Sequence, residues 1–129
     1  MKLLFISFML ISSLFASELD WSHDYKATLA QAQKENKDVY MLITSQDCKW
    51  CRKFESTTLQ DKEMIKKLEK DYVLLHILRE WDEIPEHFQS KRVPRHYFLT
   101  AKGEIIYSFL GYWNSEDFSS FLVDVAKKK

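Results

Sequence analysis

The chain has little of what usually fastens a small domain covalently or binds a nucleic acid. Its 129 residues include only two cysteines, two glycines and two prolines. Two cysteines cannot build a disulfide scaffold of several bridges. At positions 48 and 51 they close too small a loop to stabilise much. Charge of one sign is also missing: Lys plus Arg and Asp plus Glu number 19 each, and nothing in that balance suggests nucleic acid. The apolar run from Leu3 to Phe15 falls short of the roughly 20 residues that a membrane-spanning helix needs. No repeat, low-complexity segment or internal domain boundary is visible.

That apolar run reads as a leader. Met1-Lys2 supplies a short positive start, the run is broken only by serines, and Ala16 is a small residue suited to precede a cut. The pattern predicts a secretory signal over residues 1–16 and a mature domain over 17–129. No cysteine follows the cut, which argues against a lipoprotein. Removing the leader takes away Lys2 and no acid, leaving 18 basic and 19 acidic residues. The remainder is rich in aromatics and long enough to bury a core without staples.

Trp21, Tyr25, Leu29 and Ala32 recur at helical spacing and predict a helix over 20–35, with Asp20 or Ser22 as its cap. Val39 to Thr44 is continuously apolar, as in a central strand covered on both faces. A helix is expected over 48–58, then a second one capped by Asp61 with Met64, Ile65 and Leu68 inward. Tyr72 to Leu78 reads as a strand. The polar segment 79–92 spaces Trp81, Ile84 and Phe88 for a short helix or packed loop. Strands are expected over 96–99 and 105–110, joined by a turn at Gly103. Ser115 is the expected cap of a last helix with Phe118, Phe121, Leu122 and Val125 on one face.

The chemistry gathers at Cys48-Lys49-Trp50-Cys51, between the first strand and a helix. A thiol at a helix N-terminus sits among free N–H groups at the positive end of the macrodipole. Both favour the thiolate, which is the nucleophile. Lys49 adds positive charge beside Cys48 and Asp47 opposes it. A c-type haem site requires His after the second cysteine, and Arg52 stands there. A zinc site needs about two further ligands. His23, His76, His87 and His96 show no partner spacing, and His76 and His96 lie in expected strands, where a satisfied core histidine is the simpler reading.

The strand, the Cys-x-x-Cys heading a helix, the later Val93-Pro94 before a hairpin and the terminal helix together resemble the thioredoxin superfamily over residues 20–127. Cys48 to Glu55 is similar to the active-site stretch of the C-terminal domain of the periplasmic thiol:disulfide interchange reductase, and the Trp21…Tyr25…Asn36-Lys37 opening looks like that branch. The resemblance implies an α/β thioredoxin-like fold with a central mixed four-stranded sheet flanked by helices. It also implies roles for single residues. Cys48 is the expected nucleophile and Cys51 the resolving thiol. Glu55 is the expected proton acceptor, and Pro94 the cis-proline facing the dithiol. Val93 is expected to offer backbone hydrogen bonds to substrate; apart from the resemblance, Trp50 between the cysteines is a candidate substrate contact or a cover for the helix flank. The sequence departs from thioredoxin where Leu42 replaces a buried acid, where Lys49-Trp50 replaces Gly-Pro, and at Arg95 after the proline.

The expected function is an exported thiol–disulfide oxidoreductase, periplasmic or secreted, that acts on protein disulfides and serves more as a reductant. No small-molecule cofactor is required, since the dithiol is the redox group. A membrane-bound electron donor or acceptor is the implied partner, a donor if the chain is a reductant, and the small size favours a monomer. Two other readings stay open: a binding module or chaperone using Trp50 and the Val93-Pro94 groove, and a metallochaperone using the dithiol.

Overall fold

The computed structural model describes residues 19–129, so the expected leader lies outside the described residues. Strand β2 (Asp38–Thr44) runs through the middle of the sheet. Strand β3 (Tyr72–Leu78) lies parallel to it on one side, and β4 (Arg95–Leu99) antiparallel on the other. Strand β5 (Ile105–Leu110) completes the hairpin with β4. A short strand β1 (Trp21–Ser22) pairs parallel with the outer edge of β3, through Trp21–Leu74 and Ser22–Leu75. The mixed sheet therefore has five strands in the order β1-β3-β2-β4-β5. This corrects the expected four.

Alternation along β2 divides the core. Tyr40 and Leu42 face helices α2 (Lys49–Ser56), α3 (Lys62–Asp71) and α4 (Ser115–Lys127), together with Phe54, Leu68, Phe98 and Phe118. Val39, Met41 and Ile43 face the other way, onto Ala32 of α1 (Tyr25–Glu35) and onto Phe88. A strand buried on both faces reads as an unbroken apolar run, and this one does.

The first helix begins at Tyr25 rather than at residue 20. The Asp24 carboxylate accepts the Ala27 N–H at 2.8 Å, while Trp21 has joined the sheet edge. Its ring packs on Tyr40 and His76 at centroid separations of 5.9 and 5.6 Å. The second helix stops at Ser56 and a single 3₁₀ turn, Thr58–Gln60, follows. Asp61 caps α3 through the N–H groups of Glu63 and Met64. Asn114, not Ser115, caps α4 by accepting the Asp117 N–H at 2.9 Å.

Segment 79–92 is a packed loop without a helix. The Arg79 guanidinium donates to the carbonyls of Ser90 and Lys91 at 3.2 and 2.8 Å, which closes the loop on itself. Phe88 is buried and Trp81 exposed. Gly103 turns the β4–β5 hairpin at φ +87°, where a side chain would also meet the Tyr25 hydroxyl. Gly111, at φ +102°, ends β5 and donates its N–H to the Pro94 carbonyl at 2.8 Å. That bond ties the proline corner to the last strand.

Candidate functional site

Strand β2 delivers the chain to the site through a short, clamped turn. The Ser45 hydroxyl is hydrogen-bonded to the Glu80 carboxylate, and Arg52 donates to the Ser45 carbonyl at 3.2 Å. The next residues start α2. Cys48 is its N-cap, with extended φ and ψ of −139° and 98°. Its Sγ accepts the Cys51 backbone N–H at 3.1 Å. A donor aimed at that sulfur, at the positive end of a helix, favours negative charge there once the pair is reduced.

Cys48 and Cys51 are joined by a disulfide with Cα atoms 5.2 Å apart. The two sulfurs sit in different surroundings: Cys48 is half-buried and borders the surface, whereas Cys51 has no exposure. Only Cys48 is open to attack or to attacking. Cys48 borders a groove of about 740 Å³ whose walls include Trp50, Arg92, Val93, Pro94 and Tyr112. The Val93–Pro94 peptide bond is cis. Trp50 is half-exposed, lies 6.0 Å from the Tyr112 ring, and has the Lys49 and Lys53 ammonium groups over its face at 5.6 and 5.2 Å. The structure therefore brings Cys48, Trp50, Val93 and Pro94 together around one groove.

Glu55 does not line that groove. It lies one helical turn beyond Cys51, so the two share a helix face, and it borders a separate cavity of about 190 Å³ with Trp21, Leu42, Leu59 and His76. Arg52 holds its carboxylate from two nitrogens, at 3.0 and 3.3 Å. Burial raises the Glu55 pKa and the Arg52 charge opposes the rise.

Sequence reasoning missed what surrounds Leu42. In the sheet register Leu42 lies between His76 of β3 and His96 of β4. His76 Nε2 is 2.8 Å from the Thr44 hydroxyl and 3.8 Å from Glu55. Burial, helped by the charges of His23 and Arg52, pulls its pKa down to about 4 against the opposing pull of Asp82, so the ring is neutral near pH 7. His96 is fully buried, with Nε2 donating to the Gly111 carbonyl at 2.9 Å and Nδ1 accepting from the Tyr40 hydroxyl at 2.7 Å. The carbonyl can only accept, so it fixes the tautomer. Burial first, with the Arg95 charge adding, lowers the His96 pKa to about 3 despite the Gly111 bond. No sequence signal marks this histidine pair, because which residues share a sheet face across three strands depends on register. Among the described residues no three His, Cys, Asp or Glu side chains converge as metal ligands.

The profile of the thioredoxin-like domain family matches residues 25–126. Anterior gradient protein 3 of Mus musculus is 24% identical over 120 residues, spanning 88% of this chain and 73% of that protein. Among solved structures, a putative disulphide-isomerase from Bacteroides thetaiotaomicron superposes with a TM-score of 0.76 at 15% identity, over 87% of this chain and 96% of that one. The oxidised C-terminal domain of DsbD from Neisseria meningitidis gives 0.64 at 18% identity, over 81% and 98%. A Cys-x-x-Cys pair at the head of α2, set in this α/β sheet and matched by that profile, makes the chain a member of the thioredoxin-like domain family.

Proposed function

We propose that this chain is an exported thiol–disulfide oxidoreductase that reduces disulfides in protein substrates. The observation that carries the reading is the asymmetry of the pair: an accessible Cys48 facing the cis Val93–Pro94 corner, backed by a fully buried Cys51. In the reduced chain the Cys48 thiolate attacks one sulfur of a substrate disulfide. A mixed disulfide forms and the other substrate sulfur leaves as a thiolate. Cys51 gives up its proton and attacks Cys48 Sγ, which closes the Cys48–Cys51 disulfide and releases the second substrate thiolate. Two electrons pass from the dithiol to the substrate, and two protons complete the substrate thiols. Val93 and Trp50 flank the path of the incoming chain.

Glu55, one helical turn beyond Cys51 on the same face of α2 and outside the groove, is the proton acceptor for Cys51. Glu55→Gln is therefore expected to slow resolution of the mixed disulfide by roughly a hundredfold, the lower end of the usual range for a lost general base. Because burial raises the Glu55 pKa, the wild-type rate should rise with pH through an inflection above the ordinary glutamate value. The variant should lack that inflection. Stopped-flow tryptophan fluorescence between pH 4 and 8 reads both, and an unchanged profile removes Glu55 from the mechanism.

The similarity of Cys48 to Glu55 to the interchange-reductase stretch supports the reducing direction. Equilibration of residues 17–129 with glutathione tests it. A potential between roughly −200 and −270 mV is expected, and one near −120 mV reverses the direction. A pair that does not cycle reversibly ends the redox reading. Export follows from the leader read in residues 1–16, and continued reduction then draws on a membrane-bound dithiol donor.

A further inference from the structure

The groove beside Cys48 carries an excess of positive charge that the exchange chemistry leaves unused. Lys49, Arg79, Lys91 and Arg92 line it, and Asp47 is the one acid among the lining residues. The chain as a whole holds equal numbers of basic and acidic residues, so this excess is local. Arg79 is committed to the loop carbonyls and to Glu80. Lys49, Lys91 and Arg92 are exposed, and among the described residues none of them pairs with a carboxylate. Lys53, one turn further along α2, adds an ammonium 4.7 Å from the Tyr112 ring centre.

Apart from Asp47, the nearby acids Glu55, Glu80 and Asp82 are engaged elsewhere. Glu80 holds Ser45, Gln46 and Arg79. Glu55 holds Arg52, and Asp82 accepts the Leu78 N–H. Three cations without a carboxylate partner therefore line the groove that Cys48 borders, against the single Asp47, together with Trp50 and Tyr112. A groove of about 740 Å³ has room for a short stretch of chain.

Building on the redox reading, we infer that the groove selects disulfides carried on acidic segments, with Asp or Glu flanking the attacked cysteine. Lys49, Lys91 and Arg92 meet those carboxylates while the apolar parts of the segment lie on Trp50 and Tyr112. Exposed pairs of this kind add little individual affinity. Their main effect is on encounter rate, which complementary charge raises by roughly ten- to a thousandfold at low salt.

The test uses the fully reduced chain and two peptides of equal length. Each peptide contains one internal disulfide, flanked by glutamates in one and by lysines in the other. Neutral hydroxyethyl disulfide is the reference substrate. At about 20 mM ionic strength the glutamate peptide should react at least about tenfold faster than the lysine peptide. Near 500 mM the ratio should fall toward one, because the Debye length drops to only a few ångströms. The double variant K91E/R92E, checked for folding by circular dichroism, should lose or invert the preference. Turnover of the neutral disulfide with no charge preference between the peptides overturns this inference and leaves the oxidoreductase reading standing. No turnover of the neutral disulfide or of either peptide overturns both.

Discussion

Cys48→Ser should lower the rate of exchange with a protein disulfide by roughly a thousandfold or more, the scale expected when a reaction loses its nucleophile. Cys51→Ser should instead complete the first step and stop there. The difference follows from burial. Cys48 borders the groove and its sulfur is the one that receives the Cys51 N–H. Cys51 lies behind it with no exposed surface, so an outside disulfide reaches Cys51 only through Cys48. With Cys51 absent, nothing attacks the mixed disulfide from within, and the adduct should accumulate to about one equivalent of substrate per chain. Non-reducing electrophoresis and intact mass report the adduct, and the rate of insulin reduction reports turnover. Equal trapping by both serine variants would mean that the two thiols are interchangeable, which the site does not allow.

The corner holding these thiols was legible because two local signals coincide there. The unbroken run from Val39 to Ile43 is what a strand buried on both faces must look like, and Cys-x-x-Cys follows within a few residues. The start of the chain was not legible in the same way. Trp21, Tyr25, Leu29 and Ala32 fit a helical period, yet Trp21 packs with the Tyr40 face of the sheet, and Tyr25, Leu29 and Ala32 with the Met41 face. Spacing cannot show that one member of a stripe belongs to the other layer. A two-residue edge strand gives no pattern of its own. In the 79–92 segment the organising contact is a guanidinium on backbone carbonyls, which leaves no periodic trace.

The candidate site divides along the same line. Cys48, Trp50 and Cys51 lie within four residues, and the Val93-Pro94 pair carries its own motif. Leu42 signalled only that a buried acid is missing. What stands around it comes from two other strands and from α2. His76 and His96 flank Leu42 in register, and Glu55 approaches from the helix. The cations at the groove are scattered over positions 49, 79, 91 and 92. In sequence they look like ordinary surface charge, and only the loop that Arg79 closes brings them beside one sulfur.

The two histidines should make the fold sensitive to mild acid. Both have folded-state pKa values below the ordinary histidine value, about 4 for His76 and about 3 for His96, mainly through burial. The unfolded chain takes up protons near pH 6.5, whereas the folded chain takes them up only below about 4. Between those values the unfolded state binds more protons, so stability must rise with pH. It is fully present above pH 6.5 and is lost progressively as the pH falls toward 4. Each pH unit costs about 1.4 kcal/mol per histidine. Glu55, raised by burial, acts in the opposite sense from the ordinary carboxylate value upward. The two imidazoles together should cost several kcal/mol between pH 7 and pH 4, a large part of the whole stability of many domains of this size. The carboxylates with lowered pKa values, Asp61 and Glu80, begin to give up their share only as the pH falls through the ordinary carboxylate range, so between pH 7 and pH 5 the imidazoles dominate the slope. Urea unfolding at pH 7, 6, 5 and 4 measures the slope. His76→Gln keeps a polar group beside Thr44 and removes one titration, so it should flatten the slope by up to about half. A stability that stays level from pH 7 to 4 would mean that these rings take up protons in the folded chain as readily as in the unfolded one. With His96 donating to Gly111 and accepting from Tyr40, a second proton would force the Tyr40 hydroxyl to turn from donor to acceptor and would put a charge in the core, so the folded chain takes it up only at low pH.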